Sequence, residues 1–529
     1  MRASRSFAVA VVCALGFVGI SCSRLQAQPA ATTGPALGKP CNLERDVMTV
    51  GGATVVIPLL TQKPDDSVDA ETKKRLLNSG LPCRENVNPD GDKKLSQLQN
   101  LQRGFDFYSW LTFIALNSPA DGTSIENAKP GSKIKTHWQH GTYFKPLLDV
   151  MLEPKDQPPV WSKRIIPEAC QAQFNNLTPK EKDNIILITM IEESWNEPFK
   201  TGALIDQQGN YAIFDILMND KMFGYIEQHK LYSKAVQMSP ETAALRIDFP
   251  VGQNPVNNPA DPTKNTPGDP GAIMVKVAWR VLDIESDHKR FHTADALVQM
   301  PKHGNAMPPC LRKTLGLVGF HVGHKTLNRL QWIWTSFEHV ENVPEQRDVR
   351  ANKIKQDAKY SFYDPKCRTC PENQTPPRPW DPVAERGLKF HSPYKSQITR
   401  VVPLTDATKH MNKRFQKVLA GTVWENYMLL STQWPSAFSC AGQKDTVEVR
   451  PAPNTDFAKQ PDMNCAPAPT YLANSTLETY SQGTVPLASS NCMDCHNNAV
   501  SYQRRPANAA PDFKFYNQSD FTFMLEKAQ

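Results

Sequence analysis

After its first 20 residues the chain has no apolar run long enough to cross a bilayer, which takes about 20 residues as a helix. The mature chain is therefore expected to carry no transmembrane segment. There is no block of Lys and Arg interleaved with aromatic residues, so nucleic acid is not an expected partner. The net charge of +7 is modest and spread along 529 residues. A negative mean hydropathy with 44 prolines leaves little room for long regular segments and describes short elements joined by many loops. Past residue 496 the sequence has no histidine and a single methionine, Met524.

What is present is Cys492-Met493-Asp494-Cys495-His496, a Cys-x-x-Cys-His segment. This is the spacing of covalent c-type haem attachment. Two thiols add across the two vinyl groups of the haem, and a helical i, i+3 spacing puts both sulfurs on one face. The histidine follows directly and reaches the iron as proximal ligand. The expected cofactor is one covalent heme c, bound through Cys492 and Cys495 with His496 on the iron. A disulfide beside an incidental histidine is one alternative; half of a zinc site, which needs a partner pair of ligands, is another.

The N-terminal residues suit export. Arg2 and Arg5 form a basic n-region, and Phe7 to Ile20 is an apolar h-region of about 14 residues, too short to span a bilayer. Residues 1–27 are read as a signal peptide, with a periplasmic destination. Gly19-Ile20-Ser21-Cys22 is close to a lipobox, which makes a lipid anchor at Cys22 a minor alternative. Of 12 cysteines, Cys13 and Cys22 fall in or beside this leader and Cys492 and Cys495 in the motif. That leaves Cys41, Cys83, Cys170, Cys310, Cys367, Cys370, Cys440 and Cys465, an even number suited to disulfides in an oxidising compartment. Cys41 with Cys83 and Cys440 with Cys465 are expected pairs, because each closes a loop rich in turn residues. Cys367-Arg368-Thr369-Cys370 has Pro371 where a haem histidine would stand. A redox-active dithiol is one alternative; with no helix to lower a thiol pKa, the pair is read instead as structural, either one disulfide or half of two.

Residues 28–94 are read as an extended arm, 95–435 as a large α+β domain and 436–529 as a C-terminal haem-attachment region packed on it. Leu98, Leu101, Phe105, Tyr108, Leu111 and Leu116 recur at helical spacing from Leu95 onward. Thr178-Pro179-Lys180-Glu181 is a helix start, with the apolar run Ile185 to Ile191 continuing that helix. Tyr211 to Leu217 and Ala272 to Leu282 read as strands, and Val251 to Gly271 as a surface loop. Asp406 to Thr432 is expected to be a long amphipathic helix. Between them, Leu315 to His324 and Gln331 to Val340 form a strand pair with three histidines. Period two sends His321 and His324 to opposite faces, so they cannot share one metal. Trp332, Trp334 and Glu338 share a face. A single imidazole from this segment could still serve as a sixth haem ligand.

The small class I cytochromes place the attachment motif near the start of their domain and a methionine ligand far downstream. Here the motif is late, so the body of the protein must supply much of the haem pocket. The fold expected is α+β: a loop-rich large domain with antiparallel strands and packed helices, and a haem-binding helix near the C-terminus.

The chain resembles an uncharacterised family of exported bacterial mono-haem c-type cytochrome proteins with a large N-terminal domain. The matching segments are Phe105 to Trp110 through Asn117, Lys276 to Arg280, Gly319 to Thr326, Gln331 to Trp334, Phe337 to Val340, Asn426-Tyr427, Gln433 to Pro435, Leu472 to Asn474 and the haem motif. The resemblance implies an exported single-haem protein and brings no substrate or reaction. It also implies no fixed methionine at the position of Met524, which weakens Met524 as a distal ligand. Electron transfer with a redox partner protein or a small electron carrier is the leading expectation. The alternatives are a haem-dependent oxidoreductase, peroxidase- or oxygenase-like with an open sixth iron site, and a haem-based sensor or binding protein.

Overall fold

Antiparallel pairing organises the chain. Nine strands form one sheet: β1 (Phe144–Pro146), β2 (Ile186–Ile188), β3 (Ile213–Asn219), β4 (Ile273–Val281), β5 (Thr293–Gln299), β6 (Cys310–Thr326), β7 (Arg329–His339), β8 (Tyr427–Pro435) and β9 (Pro467–Ala468). Their order is β1-β3-β4-β6-β7-β8-β9, with β5 also on β6 and β2 on β5. Only β2 with β5 is parallel. The molecule is a computed structural model that describes residues 41, 68–85, 87, 95–141, 143–151, 157–188, 202–243, 245, 247–256, 258–301, 307–378, 380–390, 394–435, 467–483, 490–497, 499–503 and 519–529. The expected signal peptide, the Ala53–Ile57 run, Cys440 and most of the 450–469 loop lie outside these residues, as does Cys465.

The fold is α+β, with a large antiparallel sheet. The helices that matter here are α1 (Ala70–Leu77), α2 (Gln97–Asn117), α3 (Glu168–Asn175), α4 (Pro179–Asn184), α5 (Asp220–Gln228), α6 (Asp406–Val418) and α7 (Cys492–Asn497). Among the described residues no helix is long and apolar enough to cross a membrane.

Helices α2 and α6 cover one face of the sheet. A capping box between Ser96 and Gln99 starts α2. Its Trp110 stacks on Phe415 of α6 at 4.9 Å and meets the Phe337 ring edge-on at 4.8 Å. Phe113 stacks on Phe337 at 4.2 Å. This aromatic stripe is core, joined by Val275, Val277, Phe320, Val322 and Leu429 of the sheet. The opposite face is covered largely by irregular chain, principally residues 467–483, 490–491, 499–503, 519–529 and 247–250, together with helices α5 and α7.

Three local expectations are corrected. Residues 70–77, placed in an extended arm, form a helix: Asp69 caps it by accepting the Thr72 N–H at 2.8 Å, and Leu76 and Leu77 enter the main core. The Thr178 capping box is present, but α4 ends at Asn184; Ile185 is extended and Ile186–Ile188 is strand β2. A run of β-branched residues buried in a parallel pair reads like a buried helix segment. The third is the expected helix from Asp406 to Thr432, which stops at Val418. Gly421 turns the chain in the left-handed region (φ +79°), and Tyr427–Pro435 is strand β8. Its Tyr427 and Met428 continue the helical spacing of Met411, Phe415 and Val418, which hides the strand.

The expected Cys41–Cys83 disulfide is present, and Cys367 is bridged to Cys370. A third bridge, Cys170–Cys310, spans 140 residues and ties α3 to the start of β6.

Candidate functional site

Helix α7 carries the Cys-x-x-Cys-His residues on the irregularly covered face. Asn491 begins it, its side chain accepting the Asp494 N–H at 3.1 Å and donating to the Thr470 carbonyl at 2.9 Å. Gln433 of β8 accepts the Met493 N–H at 2.9 Å and donates to the Pro469 carbonyl at 2.7 Å. One strand side chain thus anchors both α7 and the segment leading to it. Met493 is buried in an apolar cluster with Met274, Trp332, Trp334, Phe521 and Met524.

Cys492 and Cys495 are not joined in a disulfide, whereas Cys367 and Cys370, at the same spacing, are. Both motif thiols are half-buried. Cys492 Sγ lies 3.8 Å from the Leu472 carbonyl. Burial first, and the Glu478 carboxylate second, hold its thiol well above the ordinary range, so it is protonated here.

The His496 ring is fixed on three sides. Its Nδ1 is 2.8 Å from the Phe521 carbonyl, so Nδ1–H donates and Nε2 carries the lone pair. Trp334 lies against the ring at 4.2 Å and Phe523 at 5.3 Å. Burial pushes its pKa down to about 4, which keeps the imidazole neutral. A neutral imidazole whose far nitrogen is bound to a carbonyl is the arrangement of an oriented metal ligand.

From Trp334 the rings continue away from α7. Trp332 follows at 6.3 Å, Phe249 at 6.2 Å, Tyr225 at 4.8 Å and His229, at the end of α5, at 4.5 Å.

The sheet beneath this helix has a regular layout. On the face toward α7, β4 presents Met274, Lys276 and Ala278; β6 presents Gly323, His321 and Gly319; β7 presents Trp334, Ser336 and Glu338, each row in direct register. His321 stands at the centre. Its Nε2 faces both carboxylate oxygens of Glu478 at 3.0 and 3.1 Å. Lys276, His321 and Glu478 are partly exposed in a face that is otherwise largely covered.

The other two histidines of the strand pair are placed elsewhere. His324, as period two requires, points to the opposite face, toward Tyr108 of α2; its Nε2 is 2.6 Å from the Pro270 carbonyl. His339 has Nε2 at the Arg290 carbonyl (2.9 Å) and Nδ1 accepting the Glu341 N–H (3.2 Å). Trp334 and Glu338 share the α7 face, as expected. Among the described residues no three His, Cys, Asp or Glu side chains are grouped to hold a metal ion by themselves.

Lys276 and Glu478 were not legible as site residues. The one signal for Lys276 was a charge between Val275 and Val277 in the middle of a largely apolar strand, and Glu478 had none. The two unbridged thiols one helical turn apart, the neutral oriented imidazole and the aromatic surround suit a covalently attached haem held by Cys492, Cys495 and His496. Comparison with known protein families, with curated proteins and with solved structures finds no match to the chain.

Proposed function

We propose that this chain is an exported, periplasmic c-type cytochrome that carries one haem on Cys492 and Cys495 and moves single electrons between redox partners. The observation that carries this reading is the state of His496. Its Nδ1–H is committed to the Phe521 carbonyl, which leaves Nε2 as the donor atom for iron. When bound, the haem supplies a one-electron iron couple. The chain's own part is to orient and to enclose. Phe521 and Trp334 fix the plane of the imidazole, Met493 and Trp332 contribute to an apolar wall, and Gln433 and Asn491 hold the helix that presents the thiols. A redox partner protein or a small soluble carrier would deliver or collect the electron.

The test is to produce the chain with export and c-type haem maturation, then measure intact mass and absorption. One covalent haem is expected, lost in the Cys492→Ala/Cys495→Ala variant. A chain recovered without haem, with both thiols unmodified or bridged to each other, overturns the reading.

A further inference from the structure

We propose that His321, oriented by Glu478, would be the second protein ligand of the haem iron, in addition to His496. This rests on the haem reading above and goes further, because it assigns the coordination sphere and with it the kind of redox chemistry.

Two glycines flank the imidazole. On the α7 face β6 offers Gly319, His321 and Gly323, so one imidazole projects between two positions without side chains. A Cβ at 319 would overlap Thr476 Oγ1, whereas one at 323 would meet the mobile tip of Met274, Cε at 2.7 Å. The imidazole is one same-face step, about 7 Å, along the strand from Gly323. Gly323 pairs with Trp334, the residue lying against His496.

The tautomer follows from Glu478. Nε2–H donates to that carboxylate, so the lone pair sits on Nδ1, and a carboxylate on the far nitrogen is the usual partner of a metal-bound histidine. Glu478 is itself held. It accepts the Asn474 N–H at 3.0 Å, in a segment pinned to the sheet by Asn474 on Ser336 and by Ser475 on Glu338. Glu338 in turn is paired with Arg400 at 2.8 Å. A ligand supported this deeply is pre-oriented.

The competitors are placed or engaged otherwise. Met524 follows the Phe521 carbonyl and the Phe523 ring, which brace His496 from behind, and its own side chain is buried in the apolar cluster. His324 and His339 have both ring nitrogens committed. Lys276, the register partner of His321, holds its ammonium 5.3 Å from the Phe214 ring.

The experiment is absorption and electron paramagnetic resonance on the purified haem-loaded chain, with and without carbon monoxide. The unaltered protein is expected to be six-coordinate and low-spin in both oxidation states and not to bind carbon monoxide. His321→Ala is expected to become high-spin and to bind it, with added imidazole restoring the low-spin spectrum. His321→Met, which keeps volume and a donor atom, should stay low-spin at a higher potential. Met524→Leu should leave the iron six-coordinate and low-spin. Glu478→Gln should raise the potential, because a less electron-rich imidazole stabilises ferric iron less. Unaltered protein that is already high-spin overturns the assignment and favours an oxidoreductase with an open site; a low-spin His321→Ala overturns it in favour of a different side chain on the iron. Absence of covalent haem in the unaltered protein defeats the haem reading instead.

Discussion

On one side of the sheet, Trp110, Phe113 and Phe415 from α2 and α6 lie against Phe320 and Phe337. On the other, Glu338, Lys325 and Gln433 bind irregular chain. The difference follows from what does the covering. A helix satisfies its own backbone N–H and C=O groups except at its ends, so the sheet beneath it need offer only apolar surface. Irregular chain brings unpaired backbone groups with it, and each must find a partner when buried. The second face therefore carries polar side chains: Glu338 takes the Ser475 N–H at 2.6 Å and Gln433 that of Met493. Asp520 takes the Phe249 N–H at 2.8 Å and pairs with the buried Lys325. That polar provision is also what lets a site exist there.

The comparison is sharpened first by Trp110→Ala on the helical side. It removes a fully buried indole and its hydrogen bond to Asn412 and should cost about 3–5 kcal/mol in urea unfolding. On the irregular side, Asp520→Asn leaves Lys325 buried with only the half-exposed Asp248 as a charged partner and should cost about 3 kcal/mol. Amide exchange should quicken first at 519–523 and 247–249. Equal quickening in α2 would show that the two faces are not separately held.

The smallest effect is a pH dependence on the helical side. His292 is buried against Trp424 at 4.6 Å, and burial lowers its pKa to about 3. The unfolded chain, with an ordinary histidine pKa, takes up the proton first as pH falls, so stability drops between about pH 6.5 and pH 3. From pH 7 to pH 5 the loss should be about 2 kcal/mol greater in the unaltered protein than in His292→Phe. His324 and His339 are shifted the same way. Asp106, raised to about 6 by burial, acts oppositely, losing stability as pH rises above the ordinary carboxylate range. Comparing the two proteins at each pH removes these shared contributions.

The strand pair β6–β7 was legible as two apolar, β-branched and aromatic runs joined by a short turn, and the opposed directions of His321 and His324 follow from period two alone. Tyr427–Pro435 was missed because Trp424, Tyr427 and Met428 continue the helical spacing of Met411, Phe415 and Val418. The 492–496 motif stood out because its residues are five in a row. Lys276 and Glu478 did not, since their place beside His321 depends on strand register and on a segment more than 150 residues away. The Cys170–Cys310 bridge was hidden for the same reason.

One backbone detail has a bearing on traffic through the molecule. Trp332 adopts a left-handed conformation (φ +67°), a region that costs a bulky residue about 1–3 kcal/mol. The distortion falls in β7 two residues before Trp334, and both indoles end in the same apolar cluster. On the haem reading proposed above, the rings from Trp334 through Trp332 and Phe249 to Tyr225 would form a run of neighbouring π systems between His496 and partly exposed residues on α5. The strained tryptophan is the link that holds that run together.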